Sequence, residues 1–121
     1  GIGGCTRSVF VSEPQLTYLY KHAACFVYPS LYEGFGIPIL EAYASGCPLA
    51  LSDASCFPEV ARDGGAYFDP YNVESMADTM RRLISDTHLC ETLVARGREI
   101  LASYSWDKMA RETAAVYSRT V

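Results

Sequence analysis

A chain of 121 residues, half of them apolar and a fifth charged, is long enough to close one hydrophobic core and polar enough to be globular. Its net charge of −4, with Lys21 and Lys108 as the only lysines, argues against nucleic acid or an anionic membrane as the main partner. Five cysteines, odd in number and without C-x-x-C spacing, read as small buried hydrophobes in a reducing compartment rather than as a disulfide framework. No apolar stretch approaches the length of a membrane span, and the start lacks the charged-then-apolar pattern of a secretory signal.

Residues 1 to 6 are Gly-rich, and Ser8 to Val11 reads as a short strand. Ser12 is a helix N-cap with Pro14 just inside and Gln15 completing a capping box, so a helix runs to about Ala24. Leu16, Leu19, Tyr20 and Ala23 fall at helical spacing and are expected to face the core. The apolar run Cys25-Phe26-Val27-Tyr28 suits a strand buried on both faces of a parallel sheet.

Next comes the stretch that carries the chemistry, Glu33-Gly34-Phe35-Gly36-Ile37-Pro38-Ile39-Leu40-Glu41. Pro38 suits the first turn of a helix, and Gly46 after Ser45 suits its left-handed end. Between strand and helix, Gly34 and Gly36 permit positive φ and close approach of a ligand. Such a turn presents unpaired N–H groups and the positive end of the helix dipole, which stabilise an anion, above all a phosphate. Glu41, about one turn into the helix, is placed to accept hydrogen bonds from a ribose, and Glu33 from hydroxyls beyond the phosphates. Each feature alone also fits a plain structural role: Glu41 a first-turn glutamate, Gly34 and Gly36 turn residues.

Further on, Leu49 to Leu51 forms a strand and Ser52 to Ser55 a loop at its C-terminal end. Pro58 to Ala61 is a helical turn and Ala66 to Phe68 a last strand. Asn72 caps a helix to about Ser85 with Met76, Met80, Leu83 and Ile84 inward. Two more helices follow, Thr87 to Ser103 and Trp106 to about Ser118. The expected fold is α/β: a Rossmann-like parallel sheet with crossover helices and a helical C-terminal third.

The stretch from Glu33 to Glu41, with Tyr28-Pro29-Ser30 before it and Ala42 to Pro48, Phe57-Pro58-Glu59-Val60 and Asp69-Pro70 after it, closely resembles the signature of retaining GT-B glycosyltransferases of the large group 1 family. The resemblance covers residues 8 to 118 and implies that residues 1–121 are a single partial domain, the later part of the family's C-terminal, donor-binding half. It implies donor contacts from Glu33, Gly34, Phe35, Gly36, Ile37 and Glu41: Glu33 at hydroxyls of the transferred sugar and hence the catalytic candidate, Glu41 at the ribose, and the intervening amides at sugar and diphosphate. Phe57-Pro58-Glu59 is expected to shape and support that site, with Asp53 and Ser55 as ordinary loop residues.

The implied reaction moves a hexose from a nucleoside-diphosphate sugar to a glycan or lipid-linked acceptor, without cofactor or metal, since no Asp-x-Asp pair occurs. The alternative is a non-catalytic nucleotide-binding or interaction module of the same fold. Implied partners are the nucleotide-sugar donor and a missing N-terminal acceptor domain, in a cytoplasmic setting with peripheral docking at the inner membrane face. With the family's upstream strands absent, the Ser8 to Val11 strand is expected to lie at an exposed sheet edge, re-pairing within the chain or pairing across a dimer.

Overall fold

Three short apolar runs, each followed by a helix-forming segment, fold as alternating β and α elements in the computed structural model, which describes residues 4–120. In chain order these are α1 (Glu13–His22), β1 (Phe26–Tyr28), α2 (Ile37–Ser45), β2 (Leu49–Ser52), α3 (Phe57–Ala61), β3 (Ala66–Phe68), α4 (Val73–Ser85), α5 (Thr87–Leu101) and α6 (Trp106–Thr120). The strands form one parallel sheet in the order β1-β2-β3, with Val27 opposite Ala50 and Leu51 opposite Tyr67. Parallel neighbours need a crossover between them, and α2 and α3 provide it.

The central strand β2 is buried along its whole length. Its side chains alternate: Leu49 and Leu51 join Ile39, Tyr43, Phe57 and Ile100, while Ala50 joins Phe68, Leu83 and Leu93. This period of two divides the core into one cluster on each face of the sheet. Strand β1 is only half-buried, contrary to the expectation of burial on both faces, because among the described residues it is an edge strand with no neighbour beyond it.

The expected strand at Ser8 to Val11 does not form. Residues 6–12 have no regular structure and are exposed, Val9 and Phe10 included. An apolar run becomes a strand only where a neighbour accepts its N–H and C=O groups, and among the described residues none does so. The expected re-pairing within the chain is therefore not seen.

Leu19 and Ala23, expected to face the core, are exposed instead, and with Leu16, Tyr20, Cys25 and Phe26 they line an apolar cleft of about 200 Å³. Tyr20 and Leu16 do pack inward. In α4, Met76 and Leu83 pack as expected and Met80 is half-buried, whereas Ile84 points to solvent. Thr79 takes a buried place on that face because its hydroxyl donates to the Tyr67 carbonyl.

Caps set the helix limits. Gln15 Oε1 accepts from the Ser12 N–H at 2.8 Å, Asn72 Oδ1 from Ser75 at 3.1 Å, and Asp86 Oδ1 from Leu89 at 2.9 Å. Helix α1 ends at His22 and α5 at Leu101, each two residues short of expectation. The five cysteines are all free thiols; Cys47 is buried, Cys25, Cys56 and Cys90 half-buried, and Cys5 exposed. None of the side chains of α6 is buried.

Tyrosines carry an unusual share of the packing, and this has a pH consequence. Burial pushes Tyr20 and Tyr67 up to about 12 and raises Tyr43 as well, each aided by nearby acidic or phenolic groups. An unfolded tyrosine ionises near 10. Folded pKa values above the unfolded one leave stability intact below pH 10 and remove it as pH rises from 10 through 12. The unfolding midpoint is expected to fall steeply across that window, together with the tyrosinate absorbance change. Midpoints that stay level from pH 10 to 12 would contradict the burial of these rings.

Candidate functional site

Two loops leave the carboxyl end of the sheet side by side: residues 29–36 after β1 and residues 53–56 after β2. In open parallel sheets this is the end where ligands bind. The first loop closes on Gly36, which caps α2 at φ 91, a conformation that costs glycine nothing. Gly36 is buried, and a Cβ there would lie 3.1 Å from both Ile39 Cδ1 and Phe57 Cε1. At the other end of α2, Gly46 takes φ 70 and its N–H bonds back to the helix.

Between these limits the backbone presents a fan of donors. Among the described residues, the N–H groups of Gly34, Phe35, Gly36 and Ile37 meet no protein acceptor, while the Ile39 N–H is taken by the Gly36 carbonyl at 2.9 Å. Pro38 has no N–H to offer. Gly34 has open space where a side chain would stand, and Phe35 and Ile37 are partly exposed. Unpaired amides at the positive end of a helix are the kind of group that stabilises an anion.

The two glutamates bracket the fan in sequence. Glu33 precedes the fan; its Oε1 accepts from Ser30 Oγ at 2.9 Å. Tyr28 stands close by, its phenol pushed up to about 12 by burial first and by a hydrogen bond and charge from Glu33 second. Glu41 is on the exposed face of α2, and its Oε2 accepts from Tyr20 Oη at 3.2 Å. Glu41 and Tyr20 share a cleft of about 450 Å³ between α1 and α2 with Thr17 and Lys21. Glu33, Gly34, Phe35, Gly36 and Ile37 thus make the turn that opens α2, whereas the Glu41 carboxylate lies one turn on and faces the cleft toward α1, which none of residues 33–37 lines.

Sequence reasoning missed the supports. The Glu33 backbone is gripped by the second loop: Ser55 Oγ accepts from its N–H at 3.2 Å and donates to its carbonyl at 3.0 Å. The Cys56 thiol faces the carbonyls of Glu33 and Phe35, each at 3.3 Å. By sequence Ser55 is an ordinary loop residue, and no local signal marks a bond to a partner twenty-two positions away. Tyr20 had read as core only, yet its ring is buried while its hydroxyl reaches Glu41.

Phe57 behaves as expected of a support, fully buried with its ring 4.7 Å from that of Tyr28. Phe35 stands edge-on to Tyr104 at 5.6 Å, which ties the loop to the segment before α6. Glu59 is exposed in the first turn of α3. His22 and His88 are exposed on their helices, away from the turn. Among the described residues no group of three or more His, Cys, Asp or Glu side chains is arranged to hold a metal ion.

A parallel sheet with crossover helices, a glycine turn opening a helix at its carboxyl end and a helical C-terminal third define an α/β domain of the GT-B glycosyltransferase type. Residues 5–100 match the family model described as "Glycosyl transferases group 1". The chain is 38% identical over 108 residues to O-antigen chain mannosyltransferase B of Escherichia coli, covering 89% of this chain and 28% of that protein. In structure it resembles the sucrose-phosphate synthase from Thermosynechococcus elongatus, with a TM-score of 0.74 and 28% identity over 85% of this chain and 27% of that one. It also resembles the C-terminal domain of a glycosyl transferase group 1 family protein from Francisella tularensis, with a TM-score of 0.67 and 27% identity over 80% of this chain and 51% of that one. The chain belongs to the group 1 glycosyltransferase family. It spans about 28% of the length of the first curated relatives it matches.

Proposed function

We propose that this chain is the donor-binding part of a retaining glycosyltransferase that moves a hexose from a nucleoside-diphosphate sugar to a glycan or lipid-linked acceptor. The observation that carries the reading is the run of four unpaired amides, Gly34 to Ile37, opening α2 between Glu33 and Glu41. Kinship with an O-antigen mannosyltransferase favours mannose as the sugar and a polysaccharide as the product.

In this reading the amide fan receives the diphosphate, Glu41 accepts from the ribose hydroxyls, and Glu33 accepts from hydroxyls of the sugar. When the bond from the anomeric carbon to the diphosphate oxygen breaks, both electrons go to the diphosphate, and preorganised N–H dipoles at that oxygen lower the barrier. A bond from the acceptor oxygen to the anomeric carbon replaces it, and the proton of the acceptor hydroxyl passes to the departing diphosphate. No metal or cofactor enters the scheme.

The rest of the intact protein supplies the acceptor domain and the covers that this chain lacks. Helix α6 keeps Trp106, Met109, Val116 and Tyr117 exposed, an apolar stripe suited to packing on that domain. The free edge of β1 and the cleft beside it suit the preceding strands of the same domain; pairing of two copies across that edge is the alternative, which the mass of the intact protein in solution decides. The setting proposed is cytoplasmic, with peripheral attachment to the inner membrane face.

The test is calorimetric titration of the intact protein with UDP-glucose, GDP-mannose and the corresponding bare diphosphates. Glu41→Ala is expected to weaken diphosphate and nucleotide sugar alike, by roughly ten- to a hundredfold for lost hydrogen bonds to a charged group. Glu33→Ala is expected to weaken the nucleotide sugar and spare the bare diphosphate. Failure of the folded intact protein to bind any of these ligands would overturn the reading.

A further inference from the structure

We infer that Ser55 is a positioning residue for the donor loop, held in a strained backbone conformation so that its hydroxyl can lock Glu33. This rests on the donor-site reading of Glu33 given above. Ser55 is one of two described non-glycine residues with positive φ, at 56°. That region is unfavourable for a side chain with a Cβ, and serine lacks the local compensation that lets asparagine and aspartate visit it. A glycine would adopt the same turn without strain.

What the serine does there is visible in its bonds. Its Oγ both accepts from the Glu33 N–H and donates to the Glu33 carbonyl, so one hydroxyl satisfies both backbone groups of that residue. The Cys56 thiol, reaching the Glu33 and Phe35 carbonyls, extends the grip by two residues. The loop between them and α2 is short and open to solvent at Gly34; Ser30 and Tyr28 meet the Glu33 carboxylate, and Tyr104 stands against Phe35. Fixing the Glu33 backbone therefore fixes where its carboxylate and the first amides of the fan point. Strain kept at a site where it orients a functional group is the pattern expected when function, not stability, selects the residue.

The decisive property of this arrangement is that stability and function respond with opposite signs. In the intact protein, Ser55→Gly relieves the strain and removes the lock. Its thermal midpoint is expected to be unchanged or higher. Affinity for the nucleotide sugar tried, GDP-mannose or UDP-glucose, is expected to fall about tenfold relative to the bare diphosphate, or ~1.4 kcal/mol. Hydrogen exchange at the Glu33 amide, whose N–H the Ser55 hydroxyl accepts, is expected to quicken in the same variant. Ser55→Ala keeps the strain and loses the lock, so it should lower the midpoint and loosen the loop together, while Cys56→Ser, which retains a donor, should leave both near wild type.

The exchange measurement needs no ligand, so it separates this inference from the donor-site reading. Wild-type protein that binds no nucleotide, with exchange still faster in Ser55→Gly, would sink the donor reading and leave the lock standing. Exchange at the Glu33 amide that is the same in wild type and Ser55→Gly overturns the positioning role, whatever the affinities are. So does an unaltered ratio of nucleotide-sugar to diphosphate affinity in a protein that binds both.

Discussion

Replacing Gly36 by alanine is expected to lower sugar transfer by the intact protein about a hundredfold or more, the scale on which misplacing preorganised donors at a developing charge acts. Two effects combine. The residue sits at φ 91, where an L side chain costs on the order of 1–2 kcal/mol. Its new Cβ would also stand 3.1 Å from Ile39 and from Phe57, both fully buried, and neither can retreat without disturbing the core beneath. The turn must rotate instead, and the amides of Gly34 to Ile37 rotate with it. Gly34→Ala is the internal control: nothing lies within 4 Å of the new Cβ and the φ there is not positive, so the fold should be intact. Any loss in that variant measures only how closely the ligand approaches the backbone. Steady-state transfer rates alongside thermal midpoints check both, and a Gly36→Ala enzyme of near wild-type rate would remove the amide fan from the mechanism.

The largest effect on stability is expected from Gly97→Ala. Helix α5 crosses α2 with Gly97 flat against the Tyr43 ring; a Cβ would fall inside the ring's van der Waals surface, 2.6 Å from Cε1. The ring cannot step aside. Tyr43 is buried, its hydroxyl donates to the Ala61 carbonyl at 2.9 Å, and Gly64 closes the far side. Alanine would gain up to ~1 kcal/mol of helix propensity over glycine. Overpacking a rigid site costs about 1–3 kcal/mol or more. With a contact this short the upper end applies, so the net is a loss of roughly 2 kcal/mol, read as a thermal midpoint lower by about 5–10 °C. A midpoint that rises instead would mean that propensity outweighs the contact and that α5 is free to slide on α2.

These two glycines were unequally legible. Gly36 stood out from sequence because it lies between a strand-like run and a proline-opened helix, bracketed by Glu33 and Glu41, where local rules about φ, helix ends and dipoles converge. Gly97 stood in the middle of a helical pattern with nothing to mark it, since the reason for it is a tyrosine fifty-four positions earlier that reaches it only after α2 and α5 pack.

The same division runs through the whole chain. Local chemistry in the sequence determined the three parallel strands that form, the helices and their caps, and the glycine turn that opens α2, because capping, glycine conformations and apolar periodicity act over a few residues. Only the tertiary structure decided whether a strand finds a neighbour, which is why Ser8 to Val11 stays extended and exposed while Phe26 to Tyr28 pairs. It likewise decided that Ile84 faces water and Thr79 the core, and that Ser55 and Cys56 hold Glu33 from another loop. Those outcomes depend on contacts between residues distant in sequence, and such contacts exist only once the sheet has brought the carboxyl ends of β1 and β2 together.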